Sequence, residues 1–476
     1  MSTSLTPQQQ EAAYADTSIV VTAGAGTGKT HMLAERYLYY IEKCNLSPLQ
    51  IVAVTFTEKA AIELRSRIRS LINKRLPERR EILAELEAAQ ISTIHALASR
   101  ICEEHYEFAD VTASFTVLDD IQDKIWLTDS LQTALSKLPR QFYETIPYSL
   151  MSESLNNLLD APYTAKKALD RGIQDWSKLI TKARQQGLIE LVNHPVWHNA
   201  WSILHQHQGK AGDKLETLRQ QVVIAMTDLE AEENIAEALA ILNKIKVNMG
   251  SKKSWQEGIL PIVKEALTSL RELVKEISKQ GLIDLDLGAA DEQLQQMLPA
   301  LSKAYQEVFT YLAKQKKQQR LLSFTDLEIY AIQALKHQEV RDYYQQRWQV
   351  FLVDEFQDTN PTQAELIANL TQKAYLTIVG DIKQSIYGFR RADIKVFEYF
   401  KQQILNNKGK EIILSESFRT HQNLVKQINN IFAGLFGKYH QELNAVRQLE
   451  KSKETQSIDT FIQVFDVENE KESNKK

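Results

Sequence analysis

Cysteine is nearly missing. Cys44 and Cys102 are the only two in 476 residues, and neither has neighbours at metal-ligand spacing. That excludes a disulfide-stapled scaffold and predicts a reducing, cytoplasmic setting. Excess positive charge is missing too: 57 Lys and Arg against 61 Asp and Glu leave a formal net charge of −4. A global basic field for nucleic acid is thereby excluded, and any such contact must be a local patch. No apolar run reaches bilayer-spanning length, and the opening MSTSLTPQQQEAA is polar, so neither a membrane partner nor a secretory leader is expected.

What is present is a soluble globular composition, 43% hydrophobic and 25% charged, in a chain long enough for two to four domains. Short runs rich in β-branched residues recur between helix-length stretches: SIVVTA (18–23), QIVAVTF (50–56), QISTIH (90–95), QVFLVDEF (349–356), YLTIVGD (375–381) and EIILSES (411–417). Each is unbroken, as in strands covered on both faces, and the spacing predicts an α/β fold with a parallel sheet. From 119 to 320 helix-period stretches dominate, with five of the six tryptophans (Trp126, Trp176, Trp197, Trp201 and Trp255), which predicts an all-helical insertion. The α/β pattern resumes at 321 with LLSFTDLEIYAIQAL, and the charged residues 467–476 predict a disordered tail.

The segment AGAGTGKT joins a strand to the helical stretch KTHMLAERYLYYIEK. Strand, glycine loop and helix in that order form a phosphate-binding loop: Ala23, Gly24, Ala25, Gly26, Thr27 and Gly28 present backbone N–H groups at a helix N-terminus. Lys29 would reach the terminal phosphates of ATP, and the Thr30 hydroxyl would bind Mg²⁺. Ala23 stands where the usual first glycine falls, which a residue with negative φ allows.

A second strand, in VFLVDEFQD, ends in two carboxylates. Asp354 would hold the Mg²⁺ shell, and Glu355 would act as general base toward a water attacking the γ-phosphate. A third strand ends at Asp381 and leads into IKQSIYGFRRAD. There Gln384 is a neutral group able to sense the γ-phosphate, while Tyr387, Phe389, Arg390 and Arg391 suit stacking and phosphate contact with a single strand. By composition alone, aromatics at this spacing are more often core.

These motifs together resemble a superfamily 1 DNA helicase of the UvrD/Rep type, and within it the RecB/AddA branch of helicase-nucleases. The resemblance runs from about residue 5 to 435 and is weak in the helical stretch. It implies a RecA-like P-loop domain interrupted by a helical insertion, plus the start of a second motor domain: 1–118 and 321–410 for the first motor domain, 119–320 for the insertion and 411–466 for the second. It implies adenine contacts at Gln9 in LTPQQQEAA, at Arg36, and at Phe418 in LSESFRT, whose Arg419 would meet the γ-phosphate. Thr55, Phe56 and Thr57 in VTFTEKAAIELRSRI, and Thr93 and His95 in STIHALASRI, match DNA-contact motifs. Without the family match, His95 would read as a core histidine. Phe389 stands where many UvrD/Rep relatives have Trp, and keeps a stacking face.

The implied function is an ATP- and Mg²⁺-dependent helicase, of 3′→5′ polarity by resemblance, acting on single-stranded and duplex DNA in repair or recombination. No counterpart of the family's motifs V and VI is found, nor of the nuclease domain of the RecB/AddA branch. An arginine delivered by that second half is worth about 10³–10⁵ in rate in phosphoryl transfer generally. The chain is therefore expected to be a fragment or truncated product that unwinds little alone. A second helicase/nuclease subunit, or a separate polypeptide with the missing motor half, would be its partner. The alternative is a subunit that binds ATP and single-stranded DNA without productive turnover. Of the remaining features, seven Arg and Lys residues in RSRIRSLINKRLPERR (65–80) read as a solvated helix face rather than a phosphate track. SFTDLE (323–328) reads as a helix start capped by Ser323 or Thr325.

Overall fold

The computed structural model describes residues 5–279, 283, 287–436 and 442–447. The expected tail at 467–476, and residues 448–466 of the expected second motor domain, lie outside the described residues. Two compact units are present, one drawn from residues up to Asp129 and from Ala313 onward, the other Ser130–Leu312.

The described strands are β1 (Ile19–Ala23), β2 (Ile51–Thr55), β3 (Ile91–Thr93), β4 (Thr116–Leu118), β5 (Leu321–Ser323), β6 (Val350–Val353), β7 (Tyr375–Gly380), β8 (Lys410–Leu414), β9 (Glu416–His421) and β10 (Asn444–Arg447). Six of them form one sheet in the order β3-β2-β6-β7-β1-β8, and every pairing is parallel. The unbroken apolar runs are explained by burial on both faces. Val20, Val52, Val54, Phe351 and Val353 enter one core with Leu97, Leu327, Tyr344 and Trp348. Their alternating neighbours Ile19, Val21, Ile51, Ala53, Val350 and Leu352 enter a second with Leu33, Tyr37, Leu64 and Ile68. The period of two thus divides each strand between two helical layers.

The second unit is helical throughout its described residues. Its core gathers Trp197, Leu204, Val222, Met226, Val263, Leu267 and Leu270. Trp197 and Trp255 are buried in it, with indole N–H groups donated to Glu230 at 2.9 Å and Asp213 at 3.3 Å. They serve helix packing.

Two boundaries differ from the sequence reading. Residues 119–129 and 313–320, assigned to the insertion, belong to the α/β unit. The reason is local: β4 pairs with β5, and Lys316 lies 2.8 Å from Asp123 and 2.6 Å from Asp326. Strand β8 was expected to open the second motor domain and does not. It pairs with β1 from Ile19↔Lys410 to Ala23↔Leu414 as an edge strand of the main sheet. Ile412 and Leu414 are buried in the second core. Gly409 makes the turn into β8 possible, because a Cβ there would fall 2.4 Å from Ile404 Cγ2 and 2.6 Å from the Ser18 carbonyl oxygen.

Candidate nucleotide and nucleic-acid site

Because β1, β6 and β7 run parallel, their carboxyl ends open on the same edge of the sheet, where α/β folds place their ligands. Three loops meet there.

The first is the glycine loop after β1. Gly26 and Gly28 have φ of +78° and +81°, a region closed to most L-residues. The Thr27 hydroxyl donates to the Gly24 carbonyl at 2.8 Å, and Gly28 opens the helix Lys29–Glu42. Ala23 is the fully buried last residue of β1 and is not among the positive-φ residues, so the departure at that position lies within the strand. Ala25 lies in the turn and Thr30, half-buried, in the first helical turn.

The second loop follows β6. Lys29 Nζ lies 2.9 Å from both Glu355 oxygens, bringing together two residues 326 positions apart. Glu355 has φ +51°, a strained left-handed conformation for a side-chain-bearing residue. Burial, and then the Glu355 charge, push Asp354 up to about 6. The same two causes push Asp358 up to about 6. Asp354 accepts the Glu355 N–H at 3.0 Å. Crowded carboxylates of raised affinity for protons also attract cations.

The third loop follows β7. Asp381 accepts the Gln384 side-chain N–H at 2.8 Å, and a Cβ placed on Gly24 would lie 3.9 Å from Asp381 Oδ2. Gln384 therefore sits beside the glycine loop through Asp381. Beyond it, Tyr387 packs against Phe56 at 4.8 Å and Phe389 at 5.7 Å between ring centroids, with the Arg390 guanidinium 5.7 Å from the Tyr387 ring. Phe389 is 79% exposed. The aromatics form a surface step rather than a core.

From the far side, β9 closes on the glycine loop. The Phe418 N–H donates to the Gly26 carbonyl at 2.9 Å. A Cβ on Gly26 would meet Arg419 Cβ at 2.6 Å, and one on Gly28 would lie 3.7 Å from the Phe418 ring. Both residues border the loop, as does Gln9, whose side-chain N–H donates to the Thr27 carbonyl at 2.8 Å. Gln9 Oε1 in turn accepts the Thr6 N–H, so both ends of this carboxamide are engaged with backbone.

Arg36 requires correction. Expected at the adenine, it is fully buried and donates to the carbonyls of Ala12, Ala15 and Thr17 and to the hydroxyls of Thr377 and Tyr40, at 2.8–2.9 Å. All its hydrogen-bonding directions point inward, because the guanidinium satisfies carbonyls left open at the end of the first helix.

Among the expected DNA contacts, Thr55 is buried and its hydroxyl donates to the Thr57 carbonyl. Thr57 and Thr93 cap the helices Glu58–Arg75 and Ile94–Glu104. His95 lies 3.1 Å from the buried carboxylate of Glu328 and packs on Phe324 at 4.6 Å. Ser323 is the cap of its helix, through a capping box with Asp326. The basic run is largely paired: Arg67 with Glu63, Arg69 with Glu87, Arg75 with Glu35 and Glu42, and Arg79 with Glu81. Arg65 donates to backbone carbonyls at Glu87, Ala89 and Ile91.

Gln357, Asp381 and Glu328 are buried polar residues at this site that no motif announced. Gln357 stood two residues after the carboxylate pair, a position whose burial no local pattern reveals. Among the described residues no group of three or more His, Cys, Asp or Glu side chains is placed to hold a metal ion. A magnesium ion that arrives with a nucleotide needs no such cage, since phosphate and water supply most of its oxygens. The hard oxygens of Asp354 and Thr30 fit that requirement.

A parallel sheet, a glycine loop with a lysine at its helix start, and an acid pair at a neighbouring strand tip define a phosphate-loop α/β domain. The chain belongs to the UvrD/REP helicase N-terminal domain family, which matches residues 5–405. It is similar to the A subunit of the ATP-dependent helicase/nuclease of Alkaliphilus metalliredigens (strain QYMF), at 28% identity over 91% of this chain and 39% of that protein. The corresponding helicase/nuclease proteins of Staphylococcus haemolyticus (strain JCSC1435) and Lactobacillus helveticus (strain DPC 4571) are each 26% identical over 90% of this chain. The chain spans about two fifths of the length of these relatives, 39% and 40% in the last two.

Proposed function

We propose that this chain carries the nucleotide-hydrolysing part of an ATP-dependent DNA motor of repair or recombination, with 3′→5′ movement along one strand. The observation that carries the proposal is the ion pair of Lys29 with Glu355, 2.9 Å apart at the edge where the Asp381 loop leads to half-buried Tyr387 and exposed Phe389. Lys29 would exchange Glu355 for the terminal phosphates, with Arg419 and Gln384 at the same pocket. Glu355, once released, would take a proton from the attacking water. Magnesium, when bound with ATP, supplies charge neutralisation at the phosphates, and Asp354 and Thr30 would hold it.

Phe56, Tyr387, Phe389 and Arg390 would meet a single strand by stacking and phosphate contact. Thr57, Thr93 and His95 would extend that track, and Phe418 and Gln9 would border the adenine. The relatives are named as one subunit of a helicase/nuclease, which supports DNA as the substrate and a companion polypeptide as the partner.

Phosphate release from Mg-ATP, measured with single-stranded DNA and separately with small phosphate acceptors, tests the reading. Stimulation by DNA alone supports a motor. Stimulation by small acceptors would indicate a metabolic kinase instead, and binding of ATP and DNA without release would indicate a non-hydrolysing subunit.

A further inference from the structure

We propose that Glu328 is a positioning residue that holds the His95 ring by its Nε2, so that the opposite nitrogen meets a single strand of DNA. The inference rests on the function proposed for this site. Strand register brings His95 to the same place as the aromatic step. Thr55 is paired with Thr93 across β2 and β3, so Phe56 and His95 leave neighbouring strand ends on one edge of the sheet. Phe56 is there in contact with Tyr387.

A carboxylate at position 328 needs a reason. Glu328 is 3% exposed on the helix Phe324–Leu335, beside the core residues Leu327 and Ala331, where an unpaired charge is costly. Its Oε1 accepts the Gln363 side-chain N–H at 2.7 Å and lies 3.1 Å from His95 Nε2. The Gln363 amide is itself held in direction, because its Oε1 accepts the Asn360 N–H at 3.2 Å in the capping box of the helix Pro361–Leu370. Two donors thus converge on one oxygen, a demand that suits an acceptor-only carboxylate. Since that group can only accept, Nε2 carries the proton and Nδ1 is the nitrogen left to meet a ligand. The face of the ring is fixed as well, on Phe324 at 4.6 Å between centroids. With edge and face both held, the 33% of the His95 side chain that is exposed has one orientation. Helix packing does not require this trio. Leu97 and Ile101 already meet Leu327 and Ala331 in the shared core of the two helices.

The test compares two affinities on the whole chain, for labelled oligo-dT and for a fluorescent ATP analogue. They are measured in the parent, Glu328→Gln, His95→Gln and the double variant. Damage to the fold weakens both ligands together, whereas a misplaced His95 weakens the strand. Glu328→Gln is expected to lose about three- to tenfold more affinity for oligo-dT than for the ATP analogue, and His95→Gln a similar factor. The double variant should lose no more than about twofold beyond either single one, because Glu328 acts through the ring. Gln363→Met removes only the amide that supports the carboxylate. It shifts the two affinities in the same sense and decides the matter should the Glu328 variant fail to fold. Equal losses for both ligands, an unchanged oligo-dT affinity, or losses that multiply in the double variant overturn the proposal. A parent chain that binds neither ligand refutes the proposed function itself, a result distinct from a His95 loss that Glu328→Gln does not share.

Discussion

The ammonium of Lys29 lies 2.9 Å from each carboxylate oxygen of Glu355, so the cation of the glycine loop and the acid at the tip of β6 occupy one another. On the proposed function, phosphate and Glu355 compete for Lys29. Glu355→Gln removes the competitor's charge. The expected result is ATP affinity equal to or above that of the parent, with turnover lowered by about 10²–10⁴ through loss of the general base. Equilibrium binding alongside phosphate release checks both, and affinity that falls together with turnover would contradict the exchange.

Arg36 is a buried structural cation, with three carbonyls and two hydroxyls as acceptors. Lysine has no planar fork and cannot serve so many acceptors at once. Arg36→Lys is expected to destabilise the fold by about 3–5 kcal/mol in urea unfolding, as when a buried charged network is broken. Unchanged stability with a selective loss of ATP affinity would return Arg36 to the adenine.

Phe389 stands out from the surface at 79% exposure. Phe389→Ala should leave the unfolding midpoint within the range of surface substitutions, about 0.5 kcal/mol. Its affinity for a single strand should fall by about 1–3 kcal/mol, the worth of one stacked base. Fluorescence anisotropy with labelled oligo-dT reads this. Equal affinity, or a large stability loss, would contradict the stacking role.

His105 sits among Phe108, Tyr343 and Tyr344, with Nε2 buried and unpartnered. Burial lowers it below the ordinary histidine value, against the smaller pull of Glu104 and Glu339. The unfolded chain, titrating near pH 6.5, therefore takes up a proton that the folded chain resists. Stability present above that pH falls as pH drops toward the lowered folded-state value. His105→Phe should flatten the loss between pH 7 and 5 in urea unfolding. An equal slope in both proteins would show that His105 is not its source.

All six short β-branched runs became strands of the main sheet, because β-branched residues buried on both faces leave an unbroken signature. The glycine loop between β1 and its helix was legible for a different reason, since glycines that permit positive φ, followed by a helix start, suit few other structures. Several things were hidden. Helical periodicity does not say which unit a helix belongs to, so the turns carrying Trp126 and Lys316 were placed in the insertion. The family match set Arg36 at the adenine, and a fully buried guanidinium is rare enough that sequence gave no warning. Thr57 and Thr93, each just ahead of a helix, carried a capping signal that competed with their assignment to DNA. The bond from Gln9 to the Thr27 carbonyl depends on three-dimensional closeness alone.

On the proposed function, Lys29 and Glu355 form the working pair of an ATPase answerable to DNA. Phosphate release from Mg-ATP by this chain and by its Lys29→Ala variant, with and without oligo-dT, tests that most directly. Release is expected to rise at least about tenfold with DNA and to be abolished in the variant. Release indifferent to DNA, or undiminished without the Lys29 ammonium, would contradict it.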